Sequence, residues 1–505
     1  MLLIAGHMGV SMQQKIRSAD KAGRDVNEKE GLSSAFEAEA RGEIQSVVVV
    51  SKDGNDRRPC GPHGGEGLVI TKIAQMPNLI RVGDARTHRV WKPSMGVGDD
   101  SDSHCLSFLA GADKVINATV GVDTHGITEN ESLQIEILSM WQTAHPHVRD
   151  LIAYEPGKPV EELAREMGIA PDRIIKLASN ENPLGPSPRA VEAMRAALDR
   201  AHFYPDGGGW ALRGAIAGKL GVERENVVLG NGSNELIEFA GHAFLKPGDE
   251  IVTARHAFAV YPLMAQLFGA TAVEVEDPGF THDLPAMLAA ITPRTRQVFI
   301  ANPNNPTGTM VGQDAIDHFM DHVPGHVLVV FDEAYHEFLD DPPDVLRYVR
   351  EGRNVLVMRT FSKIQGLANL RIGYGVAPRE IAGLLQKTRQ PFNANGIAQA
   401  GAVAGLQDVE HMRRTRELTH EGRDFFESTF REAGLTYVPS SANFVLVNVG
   451  DGDEVFSALL REGIIVRSMR SYKLPEWIRV SVGTMDQNRR FVETLRGILA
   501  SRVVA

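Results

Sequence analysis

Lys363 is the residue around which chemistry can be argued first. It closes the run Thr360-Phe361-Ser362-Lys363, directly after the apolar stretch NVLVMR (354–359), and Arg371 follows eight residues later. Taken alone, a lysine is a solvated cation. Two hydroxyls, an arginine and the N–H groups of a helix start, however, together describe a cup for a phosphate. A lysine beside a bound phosphate and a buried carboxylate points to a carbonyl-bearing phosphorylated cofactor held as a Schiff base. The carboxylate comes from Asp332-Glu333-Ala334-Tyr335, which follows HVLVVF (326–331). At the end of a buried strand an aspartate loses hydration and favours a cationic partner. By itself it reads equally well as the cap of the next helix.

Two further turns carry polar residues at strand ends. Gly230-Asn231-Gly232-Ser233-Asn234 follows NVVLG (226–230) and leads into a helical pattern, so its free N–H groups can receive an anion. In isolation it is a plain strand–helix turn. Asn302-Pro303-Asn304-Asn305-Pro306-Thr307-Gly308 follows RQVFIA (296–301), and its two prolines and glycine make a loop stiffer than a generic turn requires.

The elements that must position these residues alternate apolar runs with helical patterns from about residue 174 onward, the signature of βαβ units around a mainly parallel sheet. Strands are expected at 226–230, 250–254, 271–276, 296–301, 326–331 and 354–359, with helices at 234–245 and 262–269. Near-continuous β-branched runs fit strands buried on both faces. In such sheets ligands bind beyond the carboxyl ends of the strands, where all four polar turns fall. After about residue 400, NFVLVNV (443–449), GIIVR (463–467) and IRVSVG (478–483) predict a smaller α/β domain packed against the first across a cleft.

Residues 1–139 differ. Glycine and charge are frequent and helical periodicity is poor, although VVVV (47–50) and GLVITKI (67–73) have the composition of short strands. No fold follows from this pattern. A segment of low order, a small loosely packed module and an over-extended start each account for it, and a chain beginning at Met140 is expected to fold and work without it. Cys60, His63, His104 and Cys105, near Asp99, Asp100 and Asp102, lack the paired short-loop spacing of a zinc site, so no metal is expected.

Composition removes several classes. The chain has 505 residues, room for two or three domains, and a formal net charge of −11, which disfavours nucleic acid and anionic membrane as partners. Two cysteines are too few for a disulfide scaffold, and no apolar run reaches the roughly 20 residues of a spanning helix. A cytoplasmic protein acting on small molecules is expected.

NPNNPTG, DEAY and TFSK-x7-R, in this order, resemble the fold-type I pyridoxal-phosphate (PLP) aminotransferases over roughly 145–500. ASNENPLGPSP (178–188), HFYPDGGG (202–209) and GIIVRSMRSYKLPEWIRVSVGT (463–484) are similar to the histidinol-phosphate aminotransferases within that group. The resemblance implies an α/β fold with a mainly parallel large domain and a smaller C-terminal domain. It divides the chain into an extension (1–139), an arm packing on the small domain (140–178), a PLP-binding domain (179–397) and a small domain (398–505).

It also implies roles. Lys363 would carry PLP and then move the substrate proton. Asp332 would pair with the pyridine nitrogen, and Asn305 and Tyr335 would donate to the ring oxygen. Thr360, Ser362 and Arg371, with the backbone of Ser233 and Asn234, would bind the cofactor phosphate. Phe258 would stack on the ring, where many members have tyrosine. Tyr204 would reach the phosphate from a neighbouring subunit, implying a homodimer. Arg479 would bind a substrate carboxylate, and Tyr154 and Arg467 the phosphate of the substrate.

The implied reaction is amino transfer between L-histidinol phosphate and 2-oxoglutarate, with glutamate as product, in histidine biosynthesis. An aromatic amino-acid aminotransferase is the alternative, and it needs an apolar pocket where Tyr154 and Arg467 stand. A phosphate-recognising decarboxylase of the same fold ranks below both. A DNA-binding regulator needs a basic helix-turn-helix before the body, and residues 1–139 show no such pair of helices.

Overall fold

A computed structural model describes Leu2–Ile4, Val48–Val50, Leu68–Thr71, Cys105–Phe108, 140–154 and 156–504. The chain divides into two compact units, 1–149 and 150–505. In the first, Leu2–Ile4 pairs antiparallel with Val48–Val50, and Leu68–Thr71 with Cys105–Phe108, so strands occur at both expected places. Cys60, His63, His104 and the three aspartates of the set dismissed as a metal site lie outside the described residues. So does most of the segment whose order was in question.

The second unit is built on a seven-stranded sheet. Its spatial order is Val227–Gly230, Gly373–Val376, Val355–Thr360, Leu328–Asp332, Thr295–Ala301, Glu250–Ala254 and Thr271–Val275. Six strands run parallel, and Gly373–Val376 is antiparallel to both neighbours. The central strands are buried at every position, which explains their unbroken Val, Ile, Leu and Phe content. Only the edge strand Thr271–Val275 leaves residues exposed.

Side chains alternate between the two faces of each strand. Val329, Phe331 and Val357 pack with Leu212, Ile216 and Phe319 on one side. Val330, Leu356 and Met358 pack with Leu236, Phe239 and Tyr261 on the other. Each such buried side chain contributes about 1.5–3 kcal/mol relative to exposure. The sheet is therefore a rigid shelf, and everything at its carboxyl edge inherits that rigidity.

A second, four-stranded antiparallel sheet follows, ordered Tyr437–Val438, Phe444–Asn448, Trp477–Ser481 and Arg467–Ser468. Helices Val409–Glu432, Gly452–Arg461 and Met485–Val504 accompany it, with Phe426, Phe430, Val445, Val480 and Phe491 in a shared core. The stretch expected as one strand at 463–467 is two. Ile464–Ile465 pairs with Ile175–Lys176, and Arg467–Ser468 joins the four-stranded sheet. That change of partner puts Arg467 beside Arg479 in register. Among the described residues no helix is long and apolar enough to cross a membrane.

Candidate active site

The carboxyl ends of the parallel strands open onto a cavity of ≈ 590 Å³. Of the residues singled out from sequence, the structure brings all but one to its wall: Tyr154, Ser233, Asn234, Phe258, Asn305, Asp332, Tyr335, Thr360, Ser362, Lys363, Arg371, Arg467 and Arg479. Tyr204 is elsewhere, 82% exposed and stacked on Phe392 at 4.8 Å.

One end of the cavity is a cup of donors. Thr360 Oγ1 accepts from the Ser362 N–H at 3.1 Å and donates to Ser362 Oγ at 3.0 Å, which fixes the turn out of the strand. Arg371 Nη1 reaches Ser362 Oγ at 3.4 Å. The helix Ser233–Phe244 begins opposite, after Gly232. Gly232 has φ +74, and a Cβ there would lie 2.6 Å from Arg371 Nη2, so only glycine lets the guanidinium approach the helix start. Two hydroxyls, a guanidinium and a helix N-terminus converge on a space suited to a dianion.

The floor is Asp332. It is buried, and its oxygens receive the Tyr261 hydroxyl at 2.7 Å and the Ala334 N–H at 3.2 Å. Burial pushes this carboxyl above its ordinary range, and those two hydrogen bonds oppose the shift only in part. Tyr261 was not singled out from sequence. Its only signal there is a polar-tipped aromatic three residues after Phe258, in a largely apolar helix. In the structure its ring stacks on Phe299 at 4.4 Å and meets Phe258 edge-on at 5.7 Å.

Lys363 Nζ donates to Ser179 O at 3.1 Å and stands 5.7 Å from the Tyr335 ring centre. Loss of hydration, then the charge of Arg479, lowers its ammonium to about 8. Burial pushes the Tyr335 phenol up to about 12, so it carries its proton at neutral pH, and its oxygen receives Asn180 Nδ2 at 2.9 Å. Asn180 was likewise not singled out.

Arg479, on Trp477–Ser481, donates from Nη2 to Ala178 O at 2.8 Å and from Nη1 to Asn305 Oδ1. Its Nε is buried without an acceptor among the described residues. Asn305 thus gives its carbonyl to Arg479 and keeps its amide N–H groups for another acceptor. Arg467 Cζ lies 6.0 Å from the centre of the Tyr154 ring, and both residues line the cavity.

Known proteins are similar to this chain over most of its described length. Residues 172–495 match the model of aminotransferase class I and II. The histidinol-phosphate aminotransferase of Akkermansia muciniphila is 56% identical over 363 residues, 72% of this chain and all of that protein. That of Moorella thermoacetica is 51% identical over 351 residues, 69% of this chain and 90% of that one. The chain belongs to the histidinol-phosphate aminotransferase family. Among solved structures, the family member from Sinorhizobium meliloti, in complex with pyridoxal-5'-phosphate, superposes with TM-score 0.65 at 27% identity, covering 70% of this chain and 97% of that one. The fold is accordingly that of the fold-type I aminotransferases, the family's reaction is amino transfer, and its substrates are small molecules.

Proposed function

We propose that this chain holds PLP at Lys363 and exchanges an amino group between L-histidinol phosphate and 2-oxoglutarate, a step of histidine biosynthesis. The observation that carries the proposal is the order of groups along one cavity: a hydroxyl–guanidinium cup, an amine whose ammonium is lowered towards neutrality, a buried carboxylate outside any ion pair among the described residues, and two arginines beyond.

The residues fit that cofactor. Asp332 forms no ion pair among the described residues, Lys363 acting on it only weakly, and a protonated ring nitrogen would complete one. The cup formed by Thr360, Ser362, Arg371 and the Ser233 and Asn234 N–H groups suits its phosphate. When bound, PLP supplies an electron sink for the charge left on a substrate carbon after proton removal. Lys363, lowered to about 8, is partly neutral near neutral pH, so it can take that proton and return it one position away. Tyr335 and Asn305 would donate to the oxygen of the bound ring, and Phe258 would supply an aromatic surface for it. Arg479, on the cavity wall, supplies a guanidinium for the carboxylate of 2-oxoglutarate or glutamate.

Histidinol phosphate has no carboxylate but carries a phosphate, and Arg467 beside Tyr154 supplies the cation for it. The aromatic amino-acid reading is disfavoured for the same reason, because it would place an uncharged ring against Arg467. Steady-state kcat/KM for histidinol phosphate against phenylalanine and tyrosine tests the choice. A clear preference for histidinol phosphate is expected, and equal or greater efficiency with phenylalanine would reverse it.

The assembly we propose is a homodimer in the cytoplasm. Tyr204, Phe203 and Phe392 are large aromatic residues left exposed. Burying them on a second copy would let Tyr204 reach that copy's phosphate cup. Sedimentation at assay concentration should show a dimer.

A further inference from the structure

The segment 178–182 touches the polar wall of the cavity at nearly every residue. Ala178 O accepts from Arg479, Ser179 O from Lys363, and Asn182 Nδ2 donates to Ile364 O at 2.8 Å. Asn180, between them, is 1% exposed and sits at φ 54. That left-handed conformation is unfavourable for most side chains and tolerated best by glycine, asparagine and aspartate.

The polar groups of Asn180 are committed on both sides. Its N–H donates to Ser481 Oγ at 2.8 Å, Ser481 Oγ donates back to Asn180 Oδ1 at 2.9 Å, and Asn180 O accepts from Asn443 Nδ2 at 3.1 Å. A hydroxyl has one proton. Because Ser481 receives the backbone N–H on a lone pair and gives its proton to Oδ1, the amide oxygen must face Ser481. Turning the amide round would leave the buried Ser481 hydroxyl without an acceptor. The other end, Nδ2, therefore faces Tyr335, to whose oxygen it donates at 2.9 Å. A phenol oxygen that receives an N–H keeps its own proton for a group on its other side, and for Tyr335 that side is the cavity.

We propose that Asn180 is a positioning residue: its amide, oriented by Ser481, turns the Tyr335 proton into the cavity and makes Tyr335 a donor there. The inference rests on the reading that the acceptor is the ring oxygen of the bound cofactor. Asparagine differs from aspartate at this point. Aspartate tolerates the same backbone and has the same shape, but it can only accept, so it would draw the Tyr335 proton to itself.

The test uses the PLP-loaded protein and follows its visible absorption against pH. The nitrogen linking cofactor to lysine is conjugated with the ring oxygen. A proton donated to that oxygen stabilises its negative charge and lowers the pH at which the nitrogen loses its own proton. Asn180→Asp and Tyr335→Phe should each raise the absorption midpoint by about one unit, a tenfold change. The double variant should match Tyr335→Phe. Asn180→Gly removes the amide without adding charge and relieves the backbone, so it should fold and give a smaller rise in the same direction. An unmoved midpoint in Asn180→Asp or Asn180→Gly overturns the inference. So does a rise that persists in full when Asn180→Asp is placed on Tyr335→Phe, because the carboxylate would then act through its charge alone. A wild-type protein with no cofactor absorption would overturn the cofactor reading and this inference with it, whereas a coloured wild type with unmoved variants overturns the inference alone.

Discussion

Asp332 and Glu333 are consecutive carboxylates at the end of one strand, yet they occupy opposite chemical situations. Alternation turns them to opposite faces of the sheet. Glu333 receives Arg359 Nε at 2.8 Å and lies 3.3 Å from His336 Nδ1, and all three are shielded from solvent. Burial alone would push its carboxyl up, but Arg359 and His336 outweigh burial and hold it below the ordinary range. Asp332 has a phenol, an N–H and, among the described residues, no ion pair, and burial wins. The difference separates a charge that is finished within the protein from one that is left to be completed. Glu333 belongs to the scaffold and Asp332 to the site, although nothing in the dipeptide Asp-Glu distinguishes them.

Substitutions can break this contrast. The largest effect is expected at Lys363, the unfinished cation of the same cavity. Lys363→Ala should lower kcat/KM by on the order of 10⁴-fold and abolish the cofactor's covalent attachment, read by absorption and turnover. Wild-type-like transamination would remove Lys363 from the site.

Exchanging each carboxylate for its amide should then split activity from stability. Glu333→Gln leaves Arg359 buried without its counter-charge and should cost about 3–5 kcal/mol in denaturant unfolding, with kcat/KM of the folded fraction within a few-fold. Asp332→Asn should do the reverse, lowering kcat/KM by roughly 10²–10³-fold with little loss of stability. If both variants lose the same property, the contrast is wrong.

A smaller effect is expected at Arg467. Arg467→Ala should cost about 1.5–3 kcal/mol, roughly 10–150-fold, with histidinol phosphate and almost nothing with phenylalanine. Equal losses on both substrates would mean that Arg467 serves the fold or a carboxylate instead.

The smallest is a pH effect on the cofactor-free protein. Lys363 is lowered from 10.5 to about 8, so between those values the unfolded chain binds the extra proton and stability rises with pH. The cost of the buried ammonium is full below about 8 and gone above 10.5. Lys363→Met should therefore be more thermostable than wild type at pH 7, with the advantage shrinking across that window. A constant difference in Tm would contradict this.

Much of the site was legible because buried parallel strands leave long apolar runs, and the residue after each run is where a ligand binds. Lys363, Asp332 and Asn305 were found in that way. The antiparallel strand Gly373–Val376 was not, because its glycines erase the strand signal. They are needed for contact: a Cβ on Gly373 would lie 2.5 Å from Ser233 N, and one on Gly375 2.8 Å from Leu356 Cδ1. Tyr261 and Asn180 escaped for another reason. Each acts through a partner distant in sequence, Asp332 and Tyr335, and single-sequence spacing carries no trace of such a pairing. The split of 463–467 depends on which neighbour each half meets, which is also a tertiary choice.

The bonds from Arg479 to Ala178 and from Ser481 to Asn180 each span 301 positions of the chain. A growing polypeptide leaves the ribosome from its N-terminal end, so the segment 178–182 emerges long before the strand that secures it. The phosphate cup, drawn from 230–371 and joined by the strand Gly373–Val376, can assemble while Trp477–Ser481 is still to be made. Asn180 cannot be oriented, nor a substrate carboxylate gripped, until Trp477–Ser481 has been translated and inserted. The order of synthesis thus imposes an order of competence: a nascent chain could acquire a phosphate-binding pocket early, but the capacity to turn over substrate arrives only with the last of the described strands.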